Sequence, residues 1–158
     1  MAIYGATLFK SPKNGTNFGY DVIGKNSEVF AAGDPVTIDA TAGTLRLYTT
    51  TNPIAGVIVK AATMSSTNDT VALVKPARYV ADEDDEFLMG CNTALVATSV
   101  GTYYKLTGAT GAVQVDTTSG AQTLLNRVVV CTAVDPNGLS DLTQGLFKFV
   151  KVYGIRDN

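Results

Sequence analysis

The densest group of reactive side chains in the sequence is a run of consecutive carboxylates, Asp82, Glu83, Asp84, Asp85 and Glu86. Carboxylate oxygens suit Ca²⁺, but calcium loops space their ligands at alternate positions around a glycine, and this run does neither. Runs of like charge usually form solvated loops. A basic patch on a partner protein could also bind this run, which makes Asp84 and Asp85 candidates for an electrostatic contact. No metal site is predicted.

The sequence contains no histidine. This removes the usual general base, the commonest metal ligand and every Ser-His or Cys-His pairing. The motifs GxSxG, GxGxxG, CxxC and HExxH and the P-loop are also absent. A glycosidase-type carboxylate pair stays open among 14 acidic residues, although nothing points to one. We therefore predict no catalytic residues, no cofactor and no enzymatic activity.

The two cysteines, Cys91 and Cys131, have no metal-site spacing and are too few for a disulfide framework. Buried free thiols are the simplest interpretation.

Charge is sparse in this chain. Lys and Arg number 12 against 14 acidic residues, and the basic residues are scattered, which disfavours nucleic acid as a partner. Only 16% of residues are charged, and Thr, Ser, Asn and Gly fill the polar positions, so we expect a surface partly covered by neighbouring chains. No apolar run reaches membrane-spanning length and no signal peptide is evident, which predicts a chain made without secretion and without a membrane partner.

Residues 1–29 differ from the rest because aromatic residues alternate with glycine, proline and polar residues without sustained periodicity. One interpretation is an extended N-terminal arm that lies on a partner surface, with aromatic side chains as anchors. The other is an irregular first strand packed on its own domain. The proposed anchors are Tyr4, Phe9, Phe18 and Tyr20.

The second half of the chain repeats the pattern of the first. Residues 33–51 align without a gap on residues 101–119, and both segments predict strand, glycine-containing turn, strand. Further matches follow with small insertions, GVIVKAA on RVVVCTA and TVALVK on LFKFVK. Chance similarity between β-hairpins is the competing explanation. Each half holds about four strands, too few to bury a core alone, so we expect one pseudo-symmetric body.

No segment shows a helical apolar period over ten or more residues, which predicts an all-β fold. We expect a single compact β-barrel or sandwich-like domain over residues 30–158. Its pseudo-repeats cover about 30–80 and 98–155, and the acidic connection 81–87 joins them.

The segment AAGDPVTID, followed by a glycine turn, PIAGVIVKAA, a polar loop and DTVALV, resembles the β-rich capsid decoration (cement) proteins of tailed bacteriophages. The resemblance covers about residues 31–76. The second half departs from it, since Gly101 is followed by threonine instead of aspartate. The matching residues are Gly33, Asp34, Val36, Gly56, Val57, Ala61, Ala62, Val71 and Leu73.

The resemblance implies a virion structural protein made in the host cytoplasm and located on the outer capsid surface. Its partners would be the major capsid protein and copies of itself, as a homotrimer at local three-fold positions. Two alternatives stay open. One is a phage tail, baseplate or fibre component, and the other is a carbohydrate-binding β-sandwich module that uses Tyr48, Tyr103 or Tyr104. Because Tyr103 and Tyr104 are adjacent in a strand, only one could serve any single site.

Overall fold

The structure is a computed structural model that describes residues 3–10, 20–39, 41, 43–49, 52–64, 76–80, 84–123, 126–150 and 152. These residues form short β-strands, and their only helical segment is a 3₁₀ turn at Ala97–Ser99. The strands are β1 (Ala6–Lys10), β2 (Tyr20–Ile23), β3 (Val29–Phe30), β4 (Pro35–Ile38), β5 (Leu45–Leu47), β6 (Gly56–Ile58), β7 (Ala62–Thr63), β8 (Pro76–Val80), β9 (Glu86–Gly90), β10 (Tyr103–Thr107), β11 (Gln114–Asp116), β12 (Val129–Val134) and β13 (Gln144–Phe149).

The strands form two main sheets and a small ribbon. The larger sheet has the order β1-β9-β13-β12-β10-β11, the smaller sheet has the order β2-β8-β6-β4-β5, and β3 pairs with β7. All pairs between these strands are antiparallel. Neither main sheet closes into a barrel in the described part of the chain. The predicted all-β, sandwich-like class is confirmed, and the barrel form is not seen.

The two main sheets share a strand order. Read from the hairpin edge, β5-β4-β6-β8-β2 in the smaller sheet corresponds to β11-β10-β12-β13-β9 in the larger sheet, which adds β1 beyond β9. The hairpins differ in register: Val36 lies opposite Leu47, whereas Val115 lies opposite Leu106 and not opposite Tyr104. This is a slip of two residues from the gapless alignment. A slip of two keeps the same side chains on the same face.

The turn residues and the apolar pattern of the sequence account for the position of hairpin β4–β5. Pro35 begins β4, a position where a missing backbone N–H is tolerated. Gly43 has φ +67° in the turn, and Gly111 has φ +72° in the corresponding loop of β10–β11, both in the left-handed region that glycine adopts without strain. In β10, Tyr104 and Leu106 are buried while the alternate residues Tyr103, Lys105 and Thr107 are half-exposed. This period of two fixes which face turns to the core.

The core lies mainly against the larger sheet. Phe87, Phe147 and Phe149 are fully buried there, and the rings of Phe87 and Phe149 meet edge to face with centroids 5.1 Å apart. Ile54 and Val57 of the first half join the same cluster, so the core crosses between the halves. A second cluster lies against the smaller sheet. Its buried members are Phe30, Val36, Leu45, Ala55, Ile58 and Met64.

Two strands of the segment 1–29 belong to the main sheets. β1 pairs with β9 at one edge of the larger sheet, and β2 pairs with β8 at one edge of the smaller sheet. β1 and β2 therefore fit the second interpretation, a first segment packed on its own domain, and the extended arm is not confirmed. Residues 11–19 lie outside the described part.

Candidate interaction surfaces

Two of the proposed aromatic anchors lie on or beside the edge strand β1. Tyr4 is 51% exposed and Phe9 is 50% exposed. The register of β1 against β9 shifts between Leu8 and Lys10, which places Phe9 in a β-bulge. Bulges re-aim side chains and interrupt the regular hydrogen-bonding edge of a sheet. A partner at the β1 edge would therefore meet exposed aromatic side chains and not a regular row of backbone N–H and C=O groups.

The backbone before β1 is held closely against the rest of the fold. The Gly5 N–H donates to the Val113 carbonyl at 2.7 Å, and the Ala6 N–H donates to the Gly33 carbonyl at 2.7 Å. A Cβ atom at Gly90 would lie 2.0 Å from the carbonyl oxygen of Ile3, so only glycine fits where the chain crosses β9. Tyr4 is thus presented from a fixed backbone.

The structure does not bring all four anchors together. Tyr20 begins β2, in the smaller sheet, and pairs with Tyr79 through its backbone, while its side chain lies outside the described part. Phe18 also lies outside the described residues. Among the four, Tyr4 and Phe9 alone have described side chains; Phe9 lies on β1 of the larger sheet and Tyr4 lies just before it.

The two acidic candidates, Asp84 and Asp85, differ in exposure. Asp84 is exposed, and its Oδ1 lies 3.9 Å from Nζ of Lys148 on β13. Asp85 is fully buried, so its carboxylate does not reach the surface of this chain. Its proposed role as a direct contact with a partner therefore has no accessible group, because the side chain turns inward just before β9. Asp84 retains an exposed carboxylate, although one already balanced in part by a lysine of its own chain.

No group of three or more metal-ligating side chains occurs in the described residues. The three tyrosines considered for glycan stacking are engaged within the fold. Tyr104 is buried and meets the Phe147 ring edge to face, with centroids 6.4 Å apart. The Arg127 guanidinium lies over one face of Tyr103, 4.4 Å from the ring centroid. Tyr48 packs against the larger core cluster. None of the three offers an open platform with both ring faces free.

A buried carboxylate at the start of β4 joins the two halves. Asp34 is fully buried, and its two oxygens accept hydrogen bonds from the Ala31 N–H at 2.8 Å and the Gly111 N–H at 2.9 Å. Burial raises the pKa of this carboxyl, and the two backbone hydrogen bonds offset that rise in part. The sequence placed Asp34 in the motif of the resemblance without indicating that it contacts the second half.

Other hydrogen bonds strengthen the contact around Asp34. The Tyr48 hydroxyl donates to the Gly108 carbonyl at 3.1 Å, and the Thr110 hydroxyl donates to the Val29 carbonyl at 3.0 Å. Burial, followed by the charges of Asp116 and Asp34, raises the pKa of the Tyr48 phenol, which keeps its hydroxyl protonated as a donor. The β10–β11 loop is therefore docked on the first half through side chains from both.

A second polar cluster lies within the second half. The Asp116 carboxylate accepts hydrogen bonds from the Asn92 side chain at 3.0 Å and the Ser119 hydroxyl at 2.6 Å, and lies 3.4 Å from Nζ of Lys105. Burial alone would raise the pKa of Asp116, but these contacts and the Ser119 N–H outweigh it and lower the pKa to about 2. The carboxylate is ionised, and all of these partners belong to the second half of the chain. The cluster therefore stabilises the turn that follows β11.

Both cysteines are buried free thiols, as the sequence predicted. Burial raises the pKa of Cys91 to about 12 and that of Cys131 to about 11. Thiolate character is what makes a cysteine reactive. Neither thiol is a candidate nucleophile at neutral pH.

Comparison with known protein families gives no match, and comparison with curated protein sequences gives none either. In the described residues, no helix has the length and apolar character needed to cross a membrane.

Proposed function

We propose that this chain is a capsid decoration protein that binds the outer surface of an assembled bacteriophage head and stabilises its lattice. The resemblance of residues 31–76 to decoration proteins motivates the proposal. The structural observation that supports it most is the exposed apolar edge of the larger sheet, where Tyr4, Leu8 and Phe9 present their side chains from and beside β1. Aromatic side chains held by a rigid backbone are typical anchors of protein interfaces.

The mechanism would be mass action. A protein that binds the assembled shell and not its separated subunits stabilises the shell by RT ln(1 + [L]/Kd) for each site. Many copies, each with modest affinity, then add to the free energy needed to open the lattice. This role requires contact residues and no catalytic group.

We also propose that the two main sheets arose by duplication of one β unit. Their shared strand order supports this more strongly than the few residues that are identical between the halves. In the shared strand order β8 occupies the position of β13. The sequence alignment instead matched residues 70–75 to that strand, and residues 70–75 lie outside the described part.

The test of the capsid proposal is co-sedimentation of the purified chain with heads that lack it, using expanded shells and unexpanded precursors side by side. Saturable binding to expanded shells is the expected result and gives the copy number. Binding to isolated tails and not to heads would support the tail alternative, and binding to neither would remove both.

The contact residues can be tested in the same assay. Phe9→Ala is expected to weaken binding by about 1–3 kcal/mol if the ring fills a pocket on the shell. Val150→Ala is a matched control, because Val150 is also exposed, at 39%, and lies just beyond β13. Equal affinity of the Phe9→Ala and Val150→Ala proteins would exclude the β1 edge from the contact.

A further inference from the structure

Exposed apolar side chains concentrate at one end of the larger sheet. Of the ten large apolar side chains that are exposed among the described residues, four belong to the segments 96–100 and 139–142. The two segments approach each other where the N–H of Leu95, the residue before Val96, donates to the Leu142 carbonyl at 2.7 Å. We call this set the loop-end surface. Its members are Val96 (58% exposed), Val100 (50%), Leu139 (72%) and Leu142 (40%).

The loop that carries Leu139 is held in a defined shape. The two oxygens of the Asp135 carboxylate accept hydrogen bonds from the Leu139 N–H at 2.9 Å and the Ser140 N–H at 3.0 Å. Asp135 and Ser140 are non-glycine residues in the left-handed region, with φ of 45° and 58°. Such conformations are costly, and their presence around an exposed leucine points to a functional constraint. A preformed loop also loses less entropy on binding.

Charge decides which occupant fits the loop-end surface. Residues 91–104 contain no charged side chain, and residues 132–143 contain Asp135 and Asp141 but no lysine or arginine. Packing this surface on the same surface of another copy would bring four carboxylates together. A complementary occupant is therefore apolar with a positive charge beside it.

The bend that joins β6 to the β3–β7 ribbon has these properties. Val59 is 53% exposed there, and the next residue, Lys60, is exposed as well. Lys60 forms no ion pair with any carboxylate of the described residues. The Glu28 carboxylate, which precedes β3, is turned toward β5, where it accepts the Leu47 N–H at 3.0 Å. We call Val59 and Lys60, at the start of the ribbon, the ribbon surface.

We infer that the loop-end surface of one copy docks on the ribbon surface of a second copy, head to tail. Two different patches make this contact heterologous, and a heterologous contact closes into a ring when its rotation permits. The inference names the contact through which the homotrimer of the proposed function would form, and its biological purpose rests on that proposal. The self-association depends on the surfaces of this chain alone.

The first test is the mass of the free protein in solution, by light scattering and mass photometry. Wild type is expected to assemble into a multiple of the 16.5 kDa chain, three for a closed trimer, and Leu139→Asp and Val59→Asp are each expected to prevent the ring. Val150→Asp, which lies outside both surfaces, is the matched control and should assemble as wild type. Circular dichroism and thermal unfolding of each variant check that it is folded.

A mixing experiment tests the head-to-tail geometry. Leu139→Asp protein keeps an intact ribbon surface, and Val59→Asp protein keeps an intact loop-end surface, so their mixture should form a one-to-one complex of twice the chain mass. Neither variant alone should do so. A monomeric wild type at its highest soluble concentration overturns the inference, as does assembly of either variant as wild type, or two monomeric variants whose mixture forms no complex.

The capsid assay keeps the two proposals apart. A wild-type ring that binds no shell would leave the self-contact standing and remove the capsid function. Conversely, a wild-type monomer that binds shells would remove the self-contact and leave the capsid function standing.

Discussion

The larger and the smaller sheet share a strand order yet are stabilised differently. Against the larger sheet pack three fully buried phenylalanines, Phe87, Phe147 and Phe149, whereas Phe30 is the one buried phenylalanine among the described side chains of the smaller cluster. The larger sheet also has a polar cluster around Asp116 that braces its hairpin. Strand order follows from connectivity and pairing, while core composition can change around it. The comparison predicts that most of the stability resides in the larger sheet.

The largest effect is expected from removing an aromatic ring of the larger core. Phe147→Ala should lower the free energy of unfolding by about 3–5 kcal/mol, because Phe147 is fully buried and packs against Tyr104. Phe30→Ala is the matched change in the smaller core and should fall at the low end of that range. Urea denaturation at neutral pH measures both. A larger loss for Phe30→Ala would reverse the comparison.

The next effect concerns the link between the halves. Asp34→Ala removes the acceptor for the Ala31 and Gly111 N–H groups, and leaving buried donors unpaired should cost about 1–3 kcal/mol. Asp34→Asn keeps one acceptor oxygen and should cost less than Asp34→Ala. Asp84→Asn is the surface control and should stay within about 0.5 kcal/mol of wild type. Equal stability of all three variants would show that the halves do not depend on this carboxylate.

Acid should act on the larger sheet through Asp116. Its folded-state pKa of about 2 lies below the ordinary value of 3.8, so its contribution is present above about pH 4 and is lost as pH falls through 2. The amount is about 1–2 kcal/mol for a mostly buried carboxylate whose lysine partner is partly exposed. Urea midpoints of wild type and Asp116→Asn between pH 2 and neutrality measure it. The two curves should converge at the acid end.

The contribution of Asp34 to the pH dependence of stability has the opposite sign to that of Asp116. The folded-state pKa of Asp34 is raised, so its ionisation costs stability as pH rises above the ordinary value of 3.8 and through the raised one. Asp34→Asn removes this contribution, so the stability of wild type relative to Asp34→Asn should fall as pH rises through this range. A pH-independent difference between the two proteins would contradict the sign assigned to Asp34.

The smallest effect is on thiol reactivity, and it reports opening of the larger sheet. Cys91 and Cys131 are buried with pKa values raised to about 12 and about 11, so alkylation of the native protein near pH 8 should be far slower than in urea. An Ile58→Cys variant places a reporter thiol in the smaller core, and this thiol should be labelled faster than either natural cysteine if that sheet opens more readily. Faster labelling of Cys131 than of the introduced thiol would contradict the comparison.

The sequence predicted the all-β class, the two hairpins and the buried thiols because period-two patterns and turn residues are local signals. It did not predict the role of Asp34, since the Gly111 N–H that pairs with it lies 77 residues away. It placed Asp85 at the surface because a charge run usually faces water, whereas the fold buries it just before β9. The exposure of Leu139 was not predicted either, since a leucine after DPNG has the same local sequence whether its side chain turns in or out.

The position of β1 in the larger sheet also bears on how the chain folds. Ala6 pairs with Met89, about 80 residues later, so the loop that this contact closes spans roughly half of the chain. Long-range pairings of this kind lengthen the search and slow folding. During synthesis, β1 can therefore pair with β9 only after about half of the chain has followed it. In refolding, β1 should likewise join the larger sheet late.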